Sequence, residues 1–146
     1  MGPAAWGPPV LWMGFILWLS SDTWSASHTS ALLLPLLRWL LPWASSAQLA
    51  ALHAVIRKLA HLSEYAILAL LWYRAFARAH FRPARAAWRA LAISIGWAGV
   101  DEARQALTAS RTASGFDVAI DSAGAALALA STRVGQALRS RWRDAR

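Results

Sequence analysis

The sequence predicts an all-α integral membrane bundle of about four transmembrane helices, with an interfacial segment on the outer face. Three observations predict it. The hydrophobic fraction is 58% over 146 residues, and the mean hydropathy is +0.36, where soluble domains hold roughly 45–50% apolar residues. Ten tryptophans fit the aromatic belts of membrane–water interfaces. The basic residues behind the net charge of +8 lie in stretches flanking apolar runs, which is the membrane pattern and speaks against nucleic acid. The length is one domain's worth, residues 1–146. No cysteine is present, which excludes a disulfide framework, a thiolate metal site and a thiol nucleophile.

The first span is expected over about 4–20. Pro8 and Pro9 suit a first helical turn, and the apolar run Val10–Leu19 closes at Ser20-Ser21-Asp22. The first Lys or Arg is Arg38, so this run lacks the positive flank of a cleavable signal and reads as a retained span. Residues 22–30 form a polar loop. Ala31–Trp43 is apolar but broken by Pro35, Arg38 and Pro42; with Trp39 and Trp43 as anchors it begins an interfacial segment over about 31–56.

Ser45 and Gln48 have capping-box spacing. The helix they start runs to about Ala77, its later part forming the second span, about 58–77. Arg74–Arg89 is a basic loop containing Pro83. The third span is expected over about 87–105, with Gly96 and Gly99 permitting close helix contact. Thr108–Gly115 is a polar turn. The fourth span covers about 115–132, followed by a tail with Arg133, Arg139, Arg141, Arg143 and Arg146.

The positive-inside rule places the Arg74–Arg89 loop and the tail in the cytoplasm, as it does the N-terminus. The opposite ends of the spans then face outward, and six of the seven acids collect there: Asp22, Glu64, Asp101, Glu102, Asp117 and Asp121. Arg57, Lys58, Arg104 and Arg111 lie at the same level. The expected location is the bacterial inner membrane, multi-pass, with the polar site outward.

Lys58, His61 and Glu64, spaced by three, form a stripe along one helix side. His61 is the natural proton carrier; the alternative is a Glu64–Lys58 or His61–Glu64 pair that only fixes helix contacts. Asp101 and Gln105 share a face at i,i+4, and Glu102 adjoins them. Asp117 suits a helix first turn, with Ser114 three residues earlier. Asp121 sits deeper, where a lone charge costs about 2.5–3.5 kcal/mol, and Lys58 or Arg111 is its expected partner. Gly124 allows another backbone to come close. Arg111 offers a planar fork for phosphate or carboxylate. The candidate proton-transfer and catalytic residues are His61, Glu64, Asp101, Glu102, Asp117 and Asp121; the candidate ligand-binding residues are Lys58, Gln105 and Arg111. His28, His53 and His80 read as interfacial or surface residues. Oxygen-rich clusters suit divalent ions, but the spacing matches no fixed metal motif and nearby cations compete, so no cofactor is expected.

Lys58-x-x-His61-x-x-Glu64-Tyr65-x-x-Leu68, Asp101-Glu102-x-x-Gln105, and Arg111-x-x-Ser114-x-x-Asp117-x-x-x-Asp121-x-x-Gly124 together resemble the VanZ-like family of bacterial membrane proteins, as does Ser20-Ser21. The match covers about residues 10–128. Leu62 stands where an aromatic commonly follows the His, Asp121 where Asn is also frequent, and Ala128 where a glycine is often found. The resemblance implies a small multi-span envelope protein linked to teicoplanin resistance, acting where cell-wall precursors are exposed. A partial likeness to type-2 phosphatidic acid phosphatases, in Ser110-Arg111-x5-Asp117-x3-Asp121, puts Asp117 in the slot of their nucleophilic His, so a phosphohistidine mechanism is excluded there.

The function expected first is an outer-leaflet polar site that binds, and in one version modifies, a lipid-linked anionic envelope molecule, with membrane lipids or a lipid-linked cell-wall precursor as partner. The alternatives are a non-enzymatic membrane scaffold or partner module, and a small transporter.

Overall fold

The computed structural model describes residues 3–21, 26–107 and 115–144. After a short 3-10 turn at Pro3–Ala5, five helices follow: α1 (Gly7–Leu19), α2 (Ala26–Leu40), α3 (Ser46–Arg78), α4 (Pro83–Ala106) and α5 (Gly115–Asp144). No strand occurs among the described residues. The 33-residue α3 is the central pillar, packing against α5, α4, α1 and α2.

Local chemistry sets several boundaries where the sequence puts them. Pro8 and Pro9 lie in the first turn of α1 and Pro83 opens α4. At the start of α3, the Gln48 amide donates to Ser45 Oγ (3.3 Å) and the Ser45 amide donates to Gln48 Oε1 (2.8 Å), a complete capping box. Arg38 on α2 donates to Ser46 Oγ at 3.0 Å across the intervening turn.

Other expectations change. The 31–56 segment is not one unit: α2 begins at Ala26 and runs unbroken through Pro35, then a turn separates it from α3. The Arg74–Arg89 stretch is mostly helical, and the connection narrows to residues 79–82. His80 takes a left-handed φ of 60° there, and Phe81 N–H reaches back to the Phe76 carbonyl (3.2 Å), closing the end of α3. Arg89 stacks over the Phe81 ring at 4.2 Å, beside the Phe76 ring, which also meets Trp6 and Trp72. The expected tail is continuous with α5 to Asp144.

Two apolar clusters hold the bundle. Ile16, Tyr65, Leu68 and Ala98 join α1, α3 and α4. Ala69, Ala90, Ala125 and Leu129 join α3, α4 and α5, where small side chains let helix axes approach. At Gly124 a Cβ would run into the backbone carbonyl of Leu62, so glycine is required by that crossing. Gly96 and Gly99 face open space and make no such contact, contrary to expectation.

Among the described residues no helix is long and apolar enough to cross a membrane. The expected spans differ from that standard for two reasons. α1 is apolar throughout but has 13 residues, about 20 Å against a hydrocarbon core of about 30 Å. α3, α4 and α5 have the length, with 33, 24 and 30 residues, but carry ionisable residues within their apolar stretches. Some of those residues are buried, His53, Asp101 and Asp121 among them, as are the polar Ser20, Ser94 and Gln105, whereas Leu11, Leu32, Trp39, Trp43, Trp88 and Trp142 are exposed.

Replacing Gly124 with Ala is expected to lower stability by about 1–3 kcal/mol through forced separation of α3 and α5. Gly96→Ala and Gly99→Ala, in open helical positions, are expected to be neutral or to stabilise by about 0.5–1 kcal/mol. Thermal or denaturant unfolding of the purified variants in detergent checks the contrast.

Candidate functional site

The site grows from one face of α3. His53, Arg57 and His61 recur every four residues, so they stack along one side of the helix. With Lys58 they line a cleft of about 220 Å³, which α5 completes with Asp117, Ile120 and Asp121. Cationic and imidazole groups thus stand on the α3 wall and carboxylates on the α5 wall.

Two ion pairs bridge the walls. Lys58 Nζ lies 3.4 Å from Asp117 Oδ1, with both side chains nearly half exposed, and the ammonium sits 4.5 Å above the Phe116 ring. His61 Nδ1 lies 3.7 Å from Asp121 Oδ1, where Asp121 is 6% and His61 23% exposed. Among the described residues Asp121 thus meets His61 rather than Lys58, and Lys58 instead meets Asp117; Arg111, the other expected partner, lies outside them. Neither pair is the Glu64–Lys58 or His61–Glu64 contact that the sequence offered.

His53 is buried, not a surface residue. Its Nε2 lies 3.4 Å from Thr29 Oγ1 on α2, and Arg57 donates to the same hydroxyl at 3.0 Å. Burial first, and the nearby Arg57 charge second, hold the His53 imidazole below its ordinary pKa. His53 thus sits in the cleft wall as a hydrogen-bonding partner of Thr29. His28 and His80 are exposed.

A second, sealed network lies at the end of α1. Asp101, 1% exposed, accepts at Oδ2 from Ser20 Oγ (2.7 Å) and from Gln105 Nε2 (2.8 Å). Arg104 stands 3.5 Å from its Oδ1 and donates to the Leu17 carbonyl at 3.0 Å. Trp12 Nε1 donates to the Glu64 carbonyl at 2.9 Å. These contacts pin α1 to α3 and α4. Asp101, Glu102 and Gln105 line neither the cleft nor the apolar groove described next.

That groove, about 170 Å³, lies on the other flank of the α3 face. It is lined by Leu19 and Ser20 at the end of α1, Thr29 and Leu33 on α2, and Ile56, Arg57, Ala60, His61 and Glu64 on α3. Glu64 thus lines the groove, and Lys58 lines the cleft. Between the two networks stands Tyr65, fully buried, its hydroxyl without a hydrogen-bond partner and within electrostatic range of Asp101, Asp121, Glu64 and Glu102.

Of the sequence candidates, Lys58, His61, Asp117 and Asp121 meet in the cleft, Asp101 and Gln105 meet in the sealed network, and Glu64 lies in the groove. Asp22, Arg111 and Ser114 lie outside the described residues, as does the expected polar turn up to residue 114. Residues that the sequence reading passed over are His53 and Thr29, and Arg57 as a wall of the cleft; the four-residue recurrence 53–57–61 was the available signal. Among the described residues no group of three or more His, Asp or Glu is arranged to hold a metal ion.

The family model described as VanZ/LLP1 matches residues 6–136. No curated protein and no solved structure matches the chain.

Ser20→Ala is expected to destabilise by about 1–3 kcal/mol, since it removes a donor from a buried carboxylate. Gln105→Ala should act on the same oxygen, so a double-mutant cycle of unfolding free energies should show coupling above about 0.5 kcal/mol. Strict additivity would mean that the two donors do not share one acceptor.

Proposed function

The chain belongs to the VanZ/LLP1 family, and from that premise we propose that it is a cell-envelope membrane protein whose cleft between α3 and α5 binds the anionic head of a lipid-linked envelope molecule. The observation that carries this reading is the α3 wall: His53, Arg57, Lys58 and His61 line one cleft together. Arg supplies a planar fork for phosphate or carboxylate, Lys a mobile point charge. The Lys58–Asp117 pair is exposed and weakly held, so an arriving anion displaces Asp117 at small cost. The mostly buried His61–Asp121 pair gives the cleft a proton carrier with a carboxylate behind it, which is what modification of the bound head would use.

The membrane location is supported by the distribution of side chains. Several polar groups, Asp101, Gln105 and Asp121 among them, are buried, while large apolar groups such as Leu11, Trp39, Trp88 and Leu127 are exposed, as a lipid-facing surface would have them. The positive-inside rule then puts the Arg74–Arg89 stretch and the C-terminal part of α5 in the cytoplasm, and the cleft outward. At that face a lipid-linked cell-wall precursor is exposed, and a link to resistance against a lipid-bearing glycopeptide such as teicoplanin is consistent with it.

A second reading has its own observation. The Asp101 network lies away from the cleft and ties the end of α1 to α4. A scaffold in which every polar contact is structural would extend that role to the cleft.

The deciding experiment is envelope-lipid and cell-wall-precursor profiling, with teicoplanin susceptibility, in a deletion strain complemented by variants. Arg57→Ala, Lys58→Ala, Arg111→Ala and His61→Ala should keep their level in the membrane and give the profile of the deletion. Wild-type profiles from all four would sink the binding reading. Full recovery of function by the exchanged pair Lys58→Asp with Asp117→Lys would favour the scaffold. Reporter fusions at Arg82 and Thr112 should report cytoplasm and exterior respectively.

A further inference from the structure

The cleft and the apolar groove are neighbours on α3. Going round the helix, the groove takes Ile56, Ala60 and Glu64, the cleft takes His53, Ala54 and Lys58, and Arg57 and His61 line both. The two depressions therefore meet along a ridge made of one guanidinium and one imidazole. Their chemistry differs. The cleft carries the ion pairs Lys58–Asp117 and His61–Asp121. The groove offers Leu19, Leu33, Ile56 and Ala60 as an apolar lining between the end of α1, α2 and α3.

We propose that the two form a single trough for an anionic amphiphile, with its phosphate or carboxylate head in the α3–α5 cleft and its apolar chain in the α1–α2–α3 groove. This rests on the reading of the cleft as an anion site, and it adds where the chain goes and which helix selects it. Arg57 has the position to touch the junction of head and chain. Its guanidinium is drawn toward the groove by Thr29 Oγ1 at 3.0 Å, while its residue still lines the cleft. α2 becomes the chain-selecting element, since Leu33 and Thr29 are its contributions to the groove. That gives a function to a helix whose outward face is apolar, with Leu32, Leu36 and Trp39 exposed, and which closes one side of the trough. A free phosphate and a lipid head share the head chemistry; only the lipid uses the groove.

The test compares inorganic pyrophosphate, butyl phosphate and octyl phosphate as ligands of the full chain in one detergent, by calorimetric titration. In the wild type, each two methylenes buried should tighten binding roughly tenfold, so octyl phosphate should bind far more tightly than butyl phosphate. Leu33→Trp fills the groove from α2, and Ala60→Leu fills it from α3. Micelle partitioning is common to all three proteins and cancels in the octyl-to-butyl ratio. The ratio should fall at least tenfold in either filled variant, while pyrophosphate, which reaches only the cleft, continues to bind and reports an intact fold. An unchanged ratio in both variants overturns the trough and leaves the anion reading of the cleft standing. Loss of all three ligands from both variants overturns the division into head and chain compartments. Failure of the wild type to bind any of the three removes the anion reading itself, and the trough with it.

Discussion

Asp101 accepts two hydrogen bonds at a single oxygen, from Ser20 where α1 ends and from Gln105 one turn further along α4. A carboxylate exposed by only 1% is tolerable only when such donors replace its hydration. Meeting that requirement fixes the geometry around it. α1 must stop where Ser20 can reach α4, and Arg104 must fold back onto the Leu17 carbonyl. The apolar cluster of Ile16, Tyr65, Leu68 and Ala98 then closes beneath this latch, so the packing of α1 on the pillar α3 follows from the burial of one charge.

The polar residues divide into two groups with different physics. Around Asp101 one oxygen, Oδ2, accepts two hydrogen bonds, while Oδ1 faces Arg104 at 3.5 Å without a hydrogen bond, and Asp101 and Gln105 lie away from the cleft. Around Asp121, Oδ1 is likewise buried without a hydrogen bond and faces His61 across 3.7 Å, in the wall of the cleft. Tyr65 sits between the two groups, fully buried on α3. One group ties α1 to α4, and the other lines the cleft.

Local rules carried the sequence a long way. The capping box at Ser45 and Gln48, the prolines opening α1 and α4, and the shared face of Asp101 and Gln105 depend on residues at most four apart, and all appear in the structure. What sequence could not give were contacts between helices. Whether Asp121 meets Lys58 or His61 turns on the rotation of α5 against α3, and that rotation is set by Gly124 against the Leu62 backbone. His53 looked like an interfacial or surface residue because it had no partner at helical spacing; its contact is Thr29, on a stretch expected to be a polar loop that instead belongs to α2. Gly96 and Gly99 show the converse, since small size permits a close crossing but does not cause one.

The two ion pairs across the cleft are unequal in a way that bears on how it works. Lys58 and Asp117 are 47% and 44% exposed, so solvent already screens their attraction and separating them loses little. His61 and Asp121 are 23% and 6% exposed, so their contact lies in a far less solvated part of the cleft. On the proposed reading of the cleft, an anion at the α3 wall would meet the exposed Lys58–Asp117 pair as the one that opens. Lys58 can turn from Asp117 to the newcomer while His61 keeps its place against Asp121, and the walls stay in register because Gly124 has already fixed the α3–α5 crossing below them. Selectivity for an anion thus does not require an excess of positive charge in the cleft. It requires only that the acid paired with the exposed cation be the one more easily given up, and the burial of Asp121 relative to Asp117 supplies that inequality.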